Sequence, residues 1–184
     1  QWLDVKKDYG PRFKLPILYV NEVPHYSGRD ICRYLGRCCN TSNLMGDTEL
    51  ENMEIDRWVD NLYDMRMEIN HWNYLEELED RKEKDYDILG VLLPTHLGKY
   101  EEMAKAHDGY LFRKDRPTWG DFYFAGMLEY LTGPYHLHEH YLDKYPYLLK
   151  LISKIHGLPR VKDWVATRPT NNWNWQYMFF YKLG

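Results

Sequence analysis

The sequence predicts a chain of class α/β plus all-α, a small α/β piece followed by an all-helical domain. Three observations predict it. Residues 14–26, "KLPILYVNEVPHY", alternate short apolar runs around "NE" between two prolines, as two strands joined by a tight turn do. Residues 48–72 place apolar side chains at three- and four-residue steps. From residue 85 onward, helix starts and stops follow one another to the end of "VATRP".

The elements follow in order. After the two strands, Ser27 and Gly28 open a helix running to about Arg37, and Ser27-x-x-Asp30 has the spacing of a capping box. With Asp30 on the free N–H groups, that helix mouth caps itself and becomes a poor anion site, since the carboxylate competes for the amides and the dipole. Arg29 offsets part of that loss by reaching outward. A polar loop, "CCNTSNLMGD", separates this piece from the helical domain. The next helix, 48–72, takes its apolar stripe from Leu50, Met53, Trp58, Leu62, Met65 and Ile69. On it, Asp56, Asp60 and Asp64 fall four apart, a like-charge stripe that either faces water or meets something cationic in a cleft or at a partner.

The acidic run "EELEDRKEKDYD" reads as a solvated connection. Residues 85–106 form a second long helix that Pro94 should kink. "PTWGD" starts a third, with Thr118 as N-cap accepting from the Asp121 N–H and the Asp121 carboxylate returning a bond to the Thr118 N–H. "YPYLLKLISKIHGLP" and "RVKDWVATRP" supply two shorter helices. The end, "NNWNWQYMFFYKLG", packs aromatics after a helix-stopping Arg-Pro and reads as an added strand or a strap. The domain boundaries are 1–38 for the α/β piece, 39–47 for the linker, 48–170 for the helical domain and 171–184 for the tail.

Composition narrows the function classes. Lys+Arg 24 against Asp+Glu 28 gives a net charge of -4, so no broad basic field exists and nucleic acid is excluded as a partner. No apolar run is long enough to span a bilayer. Aromatic residues make up 16% of the chain while its mean hydropathy is -0.69, a pairing that suits an aromatic-lined cleft or interface as well as a core. The three cysteines, Cys32, Cys38 and Cys39, do not make a disulfide framework and suit a reducing, cytoplasmic setting. The sequon at Asn40 matters only in a secreted chain. "HLHEH" brings His136, His138 and His140 close together, but with no cysteine or H-E-x-x-H motif beside it the run reads as a solvated loop, and no metal site is assigned.

Taken together, "KLPILYV", "ICRYLG", "EIDRWVDNLYD", "GYL", "PTWGDFYFAGML" and "GLPRVKDWVATRP" resemble the sigma class of glutathione transferases over residues 2 to about 172. The resemblance implies a partial thioredoxin-like domain joined to a helical domain, glutathione as co-substrate, and a homodimer in which the first long helix pairs across the two-fold. It places Trp2 and Lys6 at the glycine end of glutathione. Lys14 and Leu15 fall before the family's cis-proline, here Pro16, where the backbone pairs with the cysteinyl unit. Asp64 takes the place of the acid that reaches toward the other subunit's glutamyl amine. The family's Gln-Ser pair, which grips the γ-glutamyl carboxylate, is Ser27-Gly28 here, and a small neutral residue has become Asp30.

Losing one or two charge-assisted hydrogen bonds, each worth roughly 1.5–3 kcal/mol, weakens binding by orders of magnitude. The family's first strand, helix and second strand, with the tyrosine that holds the thiolate, would lie upstream of Gln1. No catalytic residue is therefore assigned, and the sheet edge left uncovered needs either a partner or the aromatic tail. The first expectation is a weakly or non-catalytic binding or structural dimer. The alternative is an active transferase conjugating electrophiles or isomerising prostaglandin-like lipids. Its second-substrate cleft would be lined from the helical domain by His71, Trp72, Met65 and the tail.

Overall fold

Leu18–Val20 (β1) and Val23–His25 (β2) pair antiparallel, Leu18 opposite His25 and Val20 opposite Val23. The computed structural model that shows this pairing describes residues 7, 15–38, 43–73, 84–132 and 141–168. The connecting residues, Asn21 and Glu22, have φ of 49° and 68°. A two-residue hairpin of that twist needs positive φ at both positions, which Asn adopts readily. The predicted strands and turn are present, and a helix follows at Gly28–Cys38 (α1).

The linker is held to the helical domain by side chains. Arg116 donates to the carbonyls of Asn43 (2.9 Å) and Met45 (2.9 Å) and to Asp47 (2.7 Å), while the Trp119 N–H donates to the Leu44 carbonyl at 2.8 Å. Buried Asn52 accepts from the Gly46 N–H at 2.8 Å. A Cβ on Gly46 would stand 2.5 Å from the Glu51 Cβ, so the linker can lie this close only with glycine there.

Helix α2, Glu49–Asn73, starts on a cap that sequence reasoning overlooked in "DTELE". The Thr48 hydroxyl accepts from the Glu51 N–H (3.2 Å), and the Glu51 carboxylate accepts from the Asp47 N–H (2.7 Å). Its inward stripe is Ile55, Val59, Leu62, Met65 and Ile69, each at most 2% exposed, whereas Leu50 and Met53 are 66% and 57% exposed. The predicted stripe was thus half right. Apolar residues lie on two faces of this helix, and a three/four spacing taken from Leu50 follows the outer one.

Residues 86–106 depart from the expected kinked helix. Tyr86–Leu92 is a π-helical segment, and an α-helix, α3, begins at Leu93 and runs to Ala106. The Leu93 N–H reaches back five residues to the Ile88 carbonyl. Pro94 therefore sits in the first turn of α3, where its missing N–H leaves nothing unsatisfied, and the wider turn before it takes up the ring that would clash in a continuous α-helix.

Helix α4, Trp119–Thr132, begins at the buried pair Thr118 and Asp121. One Asp121 oxygen accepts from the Thr118 N–H (2.7 Å) and the Thr118 hydroxyl (2.8 Å), and the other from the Leu111 N–H (2.6 Å). The return half of the expected box forms. The forward half differs: the threonine hydroxyl donates to the carboxylate, because the backbone N–H of Asp121 is aimed at the Thr118 carbonyl (3.0 Å). Burial pushes the Asp121 carboxyl up, against the pull of these donors.

A 3₁₀ turn at Tyr141–Lys144 leads to α5, Pro146–Gly157, and α6, Pro159–Thr167. The first amides of α5 are capped from α3, since Glu101 accepts from the N–H groups of Tyr147 and Leu148, both at 2.9 Å. One core joins α2 through α5 around Tyr100, Phe124, Leu128 and Leu148, and a smaller cluster of Ile55, Val59 and Trp119 packs against Cys32 of α1. Gly36 lets α1 close on α4, since a Cβ there would meet the Trp119 Cβ at 3.1 Å. The fold is the expected partial thioredoxin-like domain joined to a helical one. Lys150 and Lys154 tie α5 to the turn after α3, through the Asp108 carboxylate and carbonyl.

Candidate functional site

The hairpin brings the start of β1 back to the mouth of α1. The Leu15–Pro16 peptide is cis, as the resemblance implied, and the Pro16 ring lies beside Gly28, whose added Cβ would be 3.5 Å from the Pro16 Cδ. Ser27, between β2 and α1, has φ of 78°. A non-glycine residue in the left-handed region costs on the order of 1–3 kcal/mol and persists where the surroundings demand it, most often at ligand clamps. Leu15, Pro16, Ser27 and Gly28 therefore form one surface, and Leu15 is 63% exposed on it.

The expected capping box at this mouth is only partly present. Ser27 Oγ accepts from the Asp30 N–H at a long 3.5 Å. The Asp30 carboxylate does not return to Ser27. It accepts instead from Arg33 Nη1 at 2.8 Å, and Arg33 Nε in turn donates to Asp56 at 2.8 Å. The arginine one turn along offers Asp30 a charge-assisted bond where the box offers a bond to a neutral amide, so Asp30 is drawn sideways off the helix axis. The self-capped mouth expected from the spacing is corrected accordingly.

The acidic stripe of α2 meets the cations of α1. Arg29 pairs with Asp60 and lies 3.9 Å from the centre of the Tyr63 ring, while Arg33 pairs with Asp56. Asp64, one turn further, is exposed and lines a cleft of about 650 Å³ beside α2 and α3 with Trp58, Asn61, Asp60 and Lys99. The structure thus brings Leu15, Pro16, Ser27 and Gly28 together and places Asp64 in that other cleft. Trp2, Lys6, Lys14, the histidine run 136–140 and the aromatic tail lie outside the described residues.

Of the residues expected to line a second-substrate cleft, Met65 is 1% exposed and belongs to the helical core, which removes it. His71 is exposed and borders a separate depression of about 320 Å³ with Glu68, Asp87 and Val91, and the side chain of Trp72 lies outside the described residues. Cys32 and Tyr123 are half-buried and pack on the Ile55, Val59 and Trp119 cluster. Burial raises the Cys32 thiol pKa, so the thiol stays protonated and unreactive. No group of three or more metal-ligating side chains exists among the described residues, and no helix among them is long and apolar enough to cross a membrane.

Comparison with known proteins agrees with this geometry. The family profile described as "Glutathione S-transferase, C-terminal domain" matches residues 63–168. Glutathione S-transferase S1 of Drosophila melanogaster is 30% identical over 159 residues, covering 86% of this chain and 61% of the relative, so the chain spans under two thirds of that relative's length. Hematopoietic prostaglandin D synthase of Rattus norvegicus is 32% identical over 164 residues, covering 86% of this chain and 75% of the relative. Among solved structures, prostaglandin synthase D of Nilaparvata lugens superposes with a TM-score of 0.81 at 30% identity, over 92% of this chain and 81% of that one. A cis-proline packed on a helix mouth, a helical domain docked through that helix, and a profile match across more than half of the chain lead to one conclusion: this chain belongs to the glutathione S-transferase family.

Proposed function

We propose that the chain is a sigma-like member that binds glutathione weakly at the surface formed by Leu15, Pro16, Ser27 and Gly28, and that it serves as a binding dimer more than as a fast catalyst. The observation that carries this reading is the position of Asp30. Drawn to Arg33, the carboxylate leaves the first amides of α1 facing outward beside Pro16. Amides at a helix start, with the positive dipole end behind them, suit the γ-glutamyl carboxylate. Affinity is limited because Ser27 and Gly28 supply fewer side-chain donors than a Gln-Ser pair, and because Asp60 offsets the charge of nearby Arg29.

Rate depends on the thiol. Free cysteinyl thiol has a pKa near ~8.5, and a donor or cation must stabilise the thiolate before it attacks at neutral pH. Calorimetric titration with glutathione tests the reading. Weak, saturable binding is expected, and replacing Ser27, Gly28 and Asp30 with Gln, Ser and Ala should tighten it at least tenfold, about one charge-assisted hydrogen bond. Absence of binding in both proteins would defeat it.

The dimer part of the reading is supported by the outer face of α2, where Leu50, Met53 and Met67 are exposed beside Asp64. Sedimentation of the full chain should show a species of twice its mass. A second reading, active conjugation of electrophiles or isomerisation of prostaglandin-like lipids in the cytoplasm, is favoured by the names of the relatives. It predicts turnover well above the uncatalysed rate at pH 7.

A further inference from the structure

Between α2 and α3, one titratable ring is tied to a buried frame. His96 of α3 is half-buried, and its Nδ1 lies 3.1 Å from Asn61 Oδ1 of α2. That oxygen and the Trp58 carbonyl share the Tyr100 hydroxyl as donor, at 3.3 Å and 2.8 Å. Tyr100 is 1% exposed and packs in the helical core, which fixes the position of Asn61. With an amide oxygen as its partner, Nδ1 carries the imidazole proton and Nε2 is the atom left to titrate. Burial pushes the Tyr100 phenol up, so within this network the imidazole alone changes charge near neutrality.

The charged groups facing His96 among the described residues are Asp64 of α2 and Lys99 of α3, and they pull in opposite directions. The anion loses. Burial of the ring acts first and the Lys99 ammonium second, and together they hold the imidazole below its ordinary value against Asp64. Asn61, Asp64 and Lys99 also line the cleft of about 650 Å³ beside α2 and α3, and Met53, an exposed apolar side chain, borders it. A second copy seated on this face would remove water that still solvates a protonated ring, so docking makes the charged form costlier than it is in the single chain.

We propose that His96 is a pH-sensitive switch in the α2–α3 face: a second copy of this chain docks there while the imidazole is neutral and is released as the imidazole takes a proton. The proposal rests on the reading of this face as the dimer surface, and it adds the condition under which the dimer holds. A base that binds its proton less well in the dimer than in the monomer favours the dimer at high pH. That advantage is lost as pH falls through the ordinary imidazole value of about 6.5.

Sedimentation equilibrium of the full chain from about pH 7.5 to about pH 5 tests it, across the range in which imidazole titrates. The dissociation constant of the dimer should rise about tenfold over that range, roughly threefold for each of its two imidazoles. His96→Gln, which keeps a donor for Asn61 and never charges, should stay dimeric with a rise of less than about threefold. Lys99→Met removes the opposing cation from an exposed position and should move the midpoint of the wild-type transition upward by about half a pH unit, which keeps the test decisive if His96→Gln folds poorly. A dimer whose constant does not change with pH, an equal rise in His96→Gln, or a midpoint untouched by Lys99→Met would overturn the proposal and leave the dimer reading standing. A monomer at the upper end of the range would overturn both.

Discussion

Asp30 shows how little spacing alone says about a side chain's direction. Ser27-x-x-Asp30 satisfies the capping pattern, yet a stronger competitor one turn on, Arg33, takes the carboxylate, and Arg33 is itself steered by Asp56 from another helix. The local half of the pattern was legible. The long-range half was not, because Asp56 is distant in sequence. Arg33→Ala should therefore release Asp30 toward the amides and weaken glutathione binding about fivefold, the effect of roughly one charge at a helix start, as titration calorimetry would show. Thr118 and Asp121 are the contrasting case, where both partners lie within four residues and the cap was read correctly apart from the direction of one hydroxyl. Asp121→Ala leaves two buried N–H groups unsatisfied and should lower unfolding free energy by about 2–4 kcal/mol in denaturant titration.

Helices were found from their stops and periods, and errors arose where one period fits two faces. On α2 the outer residues Leu50 and Met53 keep the same three/four spacing as the inner Ile55 and Val59, and only packing against Trp119 decides between them. The π segment at Tyr86–Leu92 had a visible cause, Pro94, but whether a proline kinks a helix or begins a new one depends on the turn ahead of it. The linker clasp also has a pH signature. Asp47 is held below the ordinary carboxylate value of 3.8, first by its hydrogen bond from Arg116 and then by the charge of Arg113. A depressed folded pKa adds stability above the unfolded value that disappears as pH falls through the folded one. Asp47→Asn should therefore lower the thermal midpoint at pH 7 and change it much less near pH 2.5.

At the scale of the molecule, the α/β piece and the helical domain are joined through α1, by the Arg29–Asp60 and Arg33–Asp56 pairs and by the contact of Gly36 with Trp119. The acidic stripe was legible as needing cations, and the structure supplies them from the same chain for two of its three members. Asp64, the third, lines the α2–α3 cleft, on the face where a second subunit is proposed to pack. The family was legible from motifs spread along nearly the whole chain, while the state of the mouth depended on contacts between helices that no single motif contains. The measurement that bears most directly on the account is the dissociation constant of glutathione for the wild-type chain and for the Ser27→Gln, Gly28→Ser, Asp30→Ala variant. Weak binding in the first and at least tenfold tighter binding in the second is the predicted result. Silence in both titrations, or equal affinity in the two proteins, would contradict it.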